Sequence, residues 1–275
     1  MSDTPKGLTL KDRGAELQKI LDARMVQIAK ALPPGTMTPD HFARVVLTLC
    51  GKNPRLMECN GASLIGAVMQ SAQLGLSPDP VLGEAWFVPF KGVVTFIPGY
   101  KGLIKLAYQS EQVAKVSAHV VRDGDAFDYE YGLREKLSHR PANDPDRPMT
   151  HAYATMKIKG GDTNFLVMSR QEVEAVRKRS PAVRAGKSTP WDTDFEAMAM
   201  KTVLRRLCKT GPASVAPRLQ QALALDELAE HGLKQNLAEP FLPAGEKAPD
   251  AEWTEDDERA LSEGAREAEN KKEQS

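Results

Sequence analysis

The chain has 275 residues, 41% of them hydrophobic and 27% charged, which allows one sizeable core or two smaller ones plus a tail. Its formal net charge is zero but unevenly spread: residues 246–275 hold eleven Asp/Glu against five Lys/Arg, net −6, leaving +6 on the rest. A basic body with an acidic tail points to a polyanion partner for the body. An odd set of three cysteines, Cys50, Cys59 and Cys208, reads as reduced packing residues rather than a disulfide framework. No apolar run approaches transmembrane length and the opening stretch has no signal-peptide pattern, so a soluble cytoplasmic protein is expected.

Residues 8–32 place Leu17, Ile20, Leu21, Ile28 and Leu32 at helical spacing until Pro33, Pro34 and Gly35 stop them. Thr38, Pro39 and Asp40 open a second helix with Phe42, Val45, Val46 and Leu49 inward. A third covers residues 61–74. Its Ser63, Gly66, Ala67 and Ser71 make one side narrow enough for another backbone to approach closely, and Gly75 ends it. The period then changes. Residues 84–90 and 93–97 read as strands around a Lys91-Gly92 turn, a hairpin in which Pro89 marks an edge or a bulge.

Gly99, Tyr100, Lys101 and Gly102 open a helix that runs to Ser110, with Lys101, Lys105 and Tyr108 on one face. Free N–H groups at a helix start beside a lysine suit a phosphate, and an adjacent aromatic suits a base. A glycine-rich junction with a surface lysine accounts for the same residues equally well. Strands follow at residues 113–122, 126–131, 136–139, 150–159 and 164–168. In the fourth of these His151, Tyr153, Thr155, Lys157 and Lys159 face one way, and Ala152, Ala154, Met156 and Ile158 the other. Residues 140–149 form a long proline-rich loop, and the short connections elsewhere imply antiparallel pairing.

Ser169 caps the next helix, with Glu172 completing a capping box, and the helix closes on Arg177, Lys178 and Arg179. Residues 180–190, with two prolines and the cations Arg184 and Lys187, read as a mobile basic loop. Residues 191–210 read as one helix beginning at Trp191, capped by Asp192 or Thr193 and ended by Gly211. Met200, Val203, Leu204, Leu207 and Cys208 share one arc. Lys201, Arg205 and Lys209 share the next, with Arg206 at its far side, a row about 12 Å long. Acids occur only in the first turn, so the row has few partners in its own helix. Phosphates would fit it, although a solvated basic face is the plainer explanation. Residues 217–231 form a last amphipathic helix. From residue 239 onward the composition predicts disorder, with a transient helix near residues 256–270. Helices, a strand-rich middle and further helices make an α+β fold, helices packed around a mainly antiparallel central sheet.

Several chemistries are excluded or weak. Residues 185–189 resemble the end of a P-loop, but Pro181 stands where its first glycine belongs and no apolar strand precedes it. Asp123, Asp125, Asp128 and Glu130 form an acidic cluster that keeps a metal-dependent nuclease as the alternative function. Phe127 breaks the calcium-loop spacing, and a turn with a solvated strand face explains the cluster more simply. Histidines and cysteines show no zinc spacing. No cofactor, metal or enzymatic activity is expected.

An ordered set of motifs nevertheless resembles the RecT family of phage single-strand annealing proteins. It runs through Gly61–Leu76, Leu82-Gly83-Glu84-Ala85, Val88–Lys91, Gly99–Leu103, Asp125–Gly132, Met168-Ser169-Arg170, Trp191 and Met198–Arg206, covering roughly residues 39–212. The chain departs from the family pattern at Cys208-Lys209-Thr210-Gly211, where many members carry an aromatic and a Lys-Tyr-Leu-Pro run. The resemblance implies ATP-independent annealing of complementary single strands in homologous recombination. It further implies assembly as rings or helical filaments on DNA, and C-terminal links to a companion exonuclease and the host single-strand-binding protein. The domain expectation is an N-terminal helix for oligomer contacts (residues 1–35), an annealing core (36–235) and a flexible acidic tail (236–275). The candidate DNA contacts are Lys91, Tyr100, Lys101, Lys105, Lys157, Arg177, Lys178, Arg179, Lys187, Trp191, Lys201, Arg205, Arg206 and Lys209.

Overall fold

A computed structural model of the chain describes residues 10–142, 144–184, 186, 189–211 and 216–237. The acidic tail and its transient helix lie outside the described residues. The fold is mixed α+β with antiparallel strands throughout, and it divides into two compact units, residues 1–102 with 234–275, and residues 103–233.

In the first unit α1 (Leu10–Ala23), α2 (Met25–Ala31), α3 (Pro39–Lys52), a 3-10 turn (Pro54–Met57) and α4 (Gly61–Leu74) surround a core that includes Leu21, Ile28, Phe42, Val46, Leu56 and Leu74. The single helix expected over residues 8–32 is interrupted at Arg24, whose N–H bonds back to Leu21 O at 3.0 Å in a tighter turn. Leu21 and Ile28, on either side of that turn, are both fully buried. The caps follow from sequence: Thr38 accepts from the His41 N–H, Asn60 from the Ser63 N–H, and Gly75 ends α4 at φ +68°.

Strands β1 (Ala85–Phe90) and β2 (Val93–Pro98) form the expected hairpin, with Lys91 and Gly92 both at positive φ in the turn. Pro89 faces Val94, whose N–H points away from β1, so the donor that proline lacks is not needed in the ladder. Outward groups of the turn and of β2 find partners on other elements. Gly92 O accepts from the Asn60 N–H (2.7 Å), and the Val94 N–H donates to Ser63 Oγ (2.9 Å). The Gln235 amide takes both groups of Phe96, accepting from its N–H (2.8 Å) and donating to its carbonyl (2.6 Å). Gln235 is therefore laced to the hairpin.

Gly66 fixes the same segment. A Cβ there would run into the Leu237 carbonyl, which explains the narrow side of α4 noted in the sequence. Gly66→Ala is expected to lift Leu237 and loosen the Gln235 contact while leaving α4 intact, since alanine favours helix over glycine. Loss of a hydrogen bond worth about 1 kcal/mol predicts roughly fivefold faster hydrogen exchange at the Phe96 amide. Unchanged exchange would show that Leu237 does not depend on the missing Cβ.

Helix α5 (Tyr100–Gln109) leads into the second unit. There a three-stranded sheet in the order β3-β6-β7 joins β3 (Val113–Arg122), β6 (Met149–Ile158) and β7 (Thr163–Ser169). One face carries Val116, Ala118, Ala152, Ala154, Met156 and Met168, all buried. Its alanines let α9 (Phe195–Thr210) lie close on the sheet through Ala199, Val203, Leu204, Leu207 and Cys208. Helix α6 (Arg170–Arg177) starts at the Ser169 capping box as expected. Residues 181–184 form one helical turn, α7 (Pro181–Arg184), inside the predicted loop.

The helix expected over residues 191–210 is two. A short α8 (Pro190–Thr193) holds Trp191, buried against Phe195, and α9 starts afresh after Asp194. Asp194 leaves helical geometry (φ −144°, ψ 61°) and caps the Ala197 N–H, the role its short carboxylate fills better than an interior position. The cap is thus Asp194 rather than Asp192 or Thr193. Helix α10 (Pro217–Glu230) packs on α9.

Candidate nucleic-acid interface

The basic row of α9 does not stand alone. Lys201 Nζ reaches Asp226 Oδ1 at 2.8 Å, Arg205 bonds Asp226 Oδ2 at 3.1 Å and also Glu230, and Lys209 pairs with Glu227 at 2.7 Å. Asp226 is 2% exposed. Burial pushes its carboxyl up, but Lys201 and Arg205 outweigh burial and hold it below the ordinary value. The sequence reading looked for acids within α9 and missed those on α10. A signal was available: Asp226 falls on the same arc as Leu219, Ala222 and Leu223, which places a carboxylate on a buried face that must find cations. Arg206 differs from the row. It is exposed, and it contributes, after the Ser169 N–H, to holding the Glu172 carboxyl low.

The other expected contacts divide similarly. Arg177 is bound to Asp192 (2.5 Å) and Glu174 (3.3 Å), whereas Lys178 and Arg179 beside it are exposed. Lys187 lies outside the described residues. Trp191 is 7% exposed and serves the core. In the first unit Lys101 is exposed, and Lys91 lies 5.7 Å from the Phe90 ring centre. Tyr100 is partly buried, and burial raises its phenol pKa. The glycines at this helix start serve close packing. The Gly99 N–H is taken by Glu84 O at 2.8 Å, and a Cβ on Gly99 or Gly102 would strike the Gly83–Glu84 backbone. Lys105 is half-buried on α5, in the second unit.

The sheet's other face is organised by the hairpin β4 (Ala126–Glu130) and β5 (Lys136–Arg140). Phe127 stacks on Tyr153 at 5.8 Å and Tyr131 on Phe165 at 5.0 Å. Tyr131 Oη also accepts the Val167 N–H of β7 at 2.8 Å. Registers place Lys115 opposite Lys157, Ser117 opposite Thr155 and His119 opposite Tyr153; on the other side of β6, Thr155 faces Phe165 and Tyr153 faces Val167. Lys115 and Lys157 are exposed at the end the hairpin leaves uncovered; Lys115 was not among the sequence candidates. Burial, then His139 and Lys115, lower the pKa of His119, so its imidazole stays neutral at neutral pH.

The acidic cluster has a structural explanation. Asp125 accepts N–H groups from Arg122 (2.7 Å) and Ala142 (2.8 Å) and bonds His139 Nε2 at 3.0 Å. The two backbone donors, then the histidine, hold its carboxyl down at about 2. Asp128 and Glu130 project from the opposite side of β4 to Phe127 and Tyr129, across from Ser138 and Lys136. Among the described residues no three His, Cys, Asp or Glu side chains gather as a metal set. Cys50 and Cys208 are buried, which pushes both thiols up to about 12 and leaves them as packing groups. Among the described residues no helix is long and apolar enough to cross a membrane.

The body is thus α+β, with exposed cations on both sheet and helix surfaces. Residues 40–238 match the model of the RecT family, and the chain belongs to that family of recombination and single-strand annealing proteins. It is 44% identical over 209 residues to Protein RecT of Escherichia coli (strain K12), covering 73% of this chain and 76% of that one. It is 27% identical over 211 residues to the uncharacterized protein YqaK of Bacillus subtilis (strain 168), covering 76% and 72% respectively.

Proposed function

We propose that this chain binds single-stranded DNA and anneals complementary strands without ATP, making no covalent change itself. The observation that carries the reading is the family match, which spans both units from residue 40 to residue 238. Cations lower repulsion between the two phosphate backbones, and base pairing then supplies sequence selectivity. Self-assembly on DNA, and recruitment of an exonuclease and a single-strand-binding protein through residues 236–275, complete the reading, with the cytoplasm as its setting.

Within the second unit the contacts favoured are Lys157, Lys178, Arg179 and Arg206. Within the first they are Lys91 and Lys101. Lys201, Arg205 and Lys209 instead hold α10. The test adds complementary labelled oligonucleotides in sequence to the purified chain without nucleotide. Duplex should form faster than without protein, and magnesium should not shorten either strand. Failure to retain the first strand, or shortening of it, would reject the reading. Arg206→Ala should flatten the log–log salt dependence of single-strand affinity by about 0.7, one phosphate contact. Arg205→Ala should instead show itself first as lost stability.

A further inference from the structure

We infer that the uncovered end of the outer sheet face, at Lys115 and Lys157, is a shelf for the phosphates of a DNA single strand. The inference rests on the single-strand-binding reading above and names one place where the strand lies.

Lys115 and Lys157 are directly opposite each other on adjacent antiparallel strands. Like charges at that position oppose pairing of the strands. Both lysines are exposed, and neither forms an ion pair with a carboxylate among the described residues. The backbone arranges this juxtaposition. The register shifts between Val113 and Lys115, so Ala114 is an extra residue in β3. Without the bulge, Ala114 would face Lys157. With it, Lys115 takes that place, and Val116 returns to the buried face. A bulge that re-aims one charged side chain beside another is a costly arrangement unless an anion sits between them.

The neighbouring row supplies what a nucleotide needs beyond charge. Ser117 Oγ and Thr155 Oγ1 lie 2.8 Å apart, an exchangeable hydroxyl pair able to donate to a phosphate oxygen. Phe165 completes that row, and Tyr131, 51% exposed, lies stacked on it, with the Tyr129 ring edge-on beside it and its hydroxyl bonded to the Val167 N–H. Phosphate contacts on the lysines, with a base against the tyrosine, match how unpaired strands are held.

The test separates charge from fold. In the full-length chain, Lys115→Thr, Lys157→Thr and the double variant keep strand-compatible side chains. Affinity for a dye-labelled oligothymidylate is titrated across a range of salt concentrations beside a thermal melt. The double variant should flatten the log–log salt slope by about 1.4, two contacts, with an unchanged or higher melting midpoint because the repulsion is gone. Lys115→Glu, which pairs with Lys157, should melt later than the parent and bind more weakly than Lys115→Thr. An unchanged slope in the double variant, with the parent binding normally, overturns the shelf alone. So does a fall in melting midpoint that accounts for the lost binding. If the parent binds no single strand, the functional reading fails and the shelf fails with it.

Discussion

Asp226→Asn is expected to lower the unfolding free energy by about 3–5 kcal/mol, because Lys201 loses the buried carboxylate it shares with Arg205, and Arg205 keeps only Glu230. The comparison variant is Glu227→Gln. Its partner Lys209 and Glu227 itself are about half exposed, and such pairs contribute at most about 1 kcal/mol. The two variants should therefore separate clearly in urea melts. Acidification adds a second readout. The folded Asp226 carboxyl lies below its ordinary value of about 3.9, so its contribution is fully present above that pH. It is lost as pH falls through the folded value, where the protonated acid resembles asparagine. Parent and variant stabilities should converge on acidification, and a gap that stays constant with pH would contradict the assignment.

Leu204→Ala should cost about 2–5 kcal/mol. The side chain is fully buried on α9, so truncation removes buried methyl groups and leaves a cavity. Arg206→Ala, two residues along on the exposed side, should change stability by less than about 0.5 kcal/mol. Annealing measured beside each melt should fall with the folded fraction in the first variant and independently of it in the second. If Arg206→Ala unfolds early and anneals normally once folded, this arginine is structural.

Much of the fold was legible because its signals are local. The Asn60 cap, Gly75, the Lys91-Gly92 turn and the Ser169–Glu172 capping box each depend on residues a few positions apart, and the elements they bound are where the sequence places them. The alternation in residues 150–159 correctly separated the alanine face under α9 from the histidine and tyrosine face. What escaped depends on distant residues. The break at Asp194 sits in a stretch whose periodicity continues across it, so only the cap geometry reveals it. The fate of the α9 cations was hidden for the same reason, since their partners lie 18 to 25 residues further along. The reading of Gly99 and Gly102 turned on a backbone crossing that no spacing encodes.

The side-chain clasps on β2 and β7 bear on how the strand edges are kept from pairing with other chains. A bare strand edge is a template for any other extended chain, and small sheets have proportionally more edge than large ones. Here the Gln235 amide occupies both groups of Phe96 as a neighbouring strand would, and the Tyr131 hydroxyl occupies the Val167 donor. At these positions a second extended chain finds the main-chain groups already taken, so the edges of both small sheets offer it a poorer template.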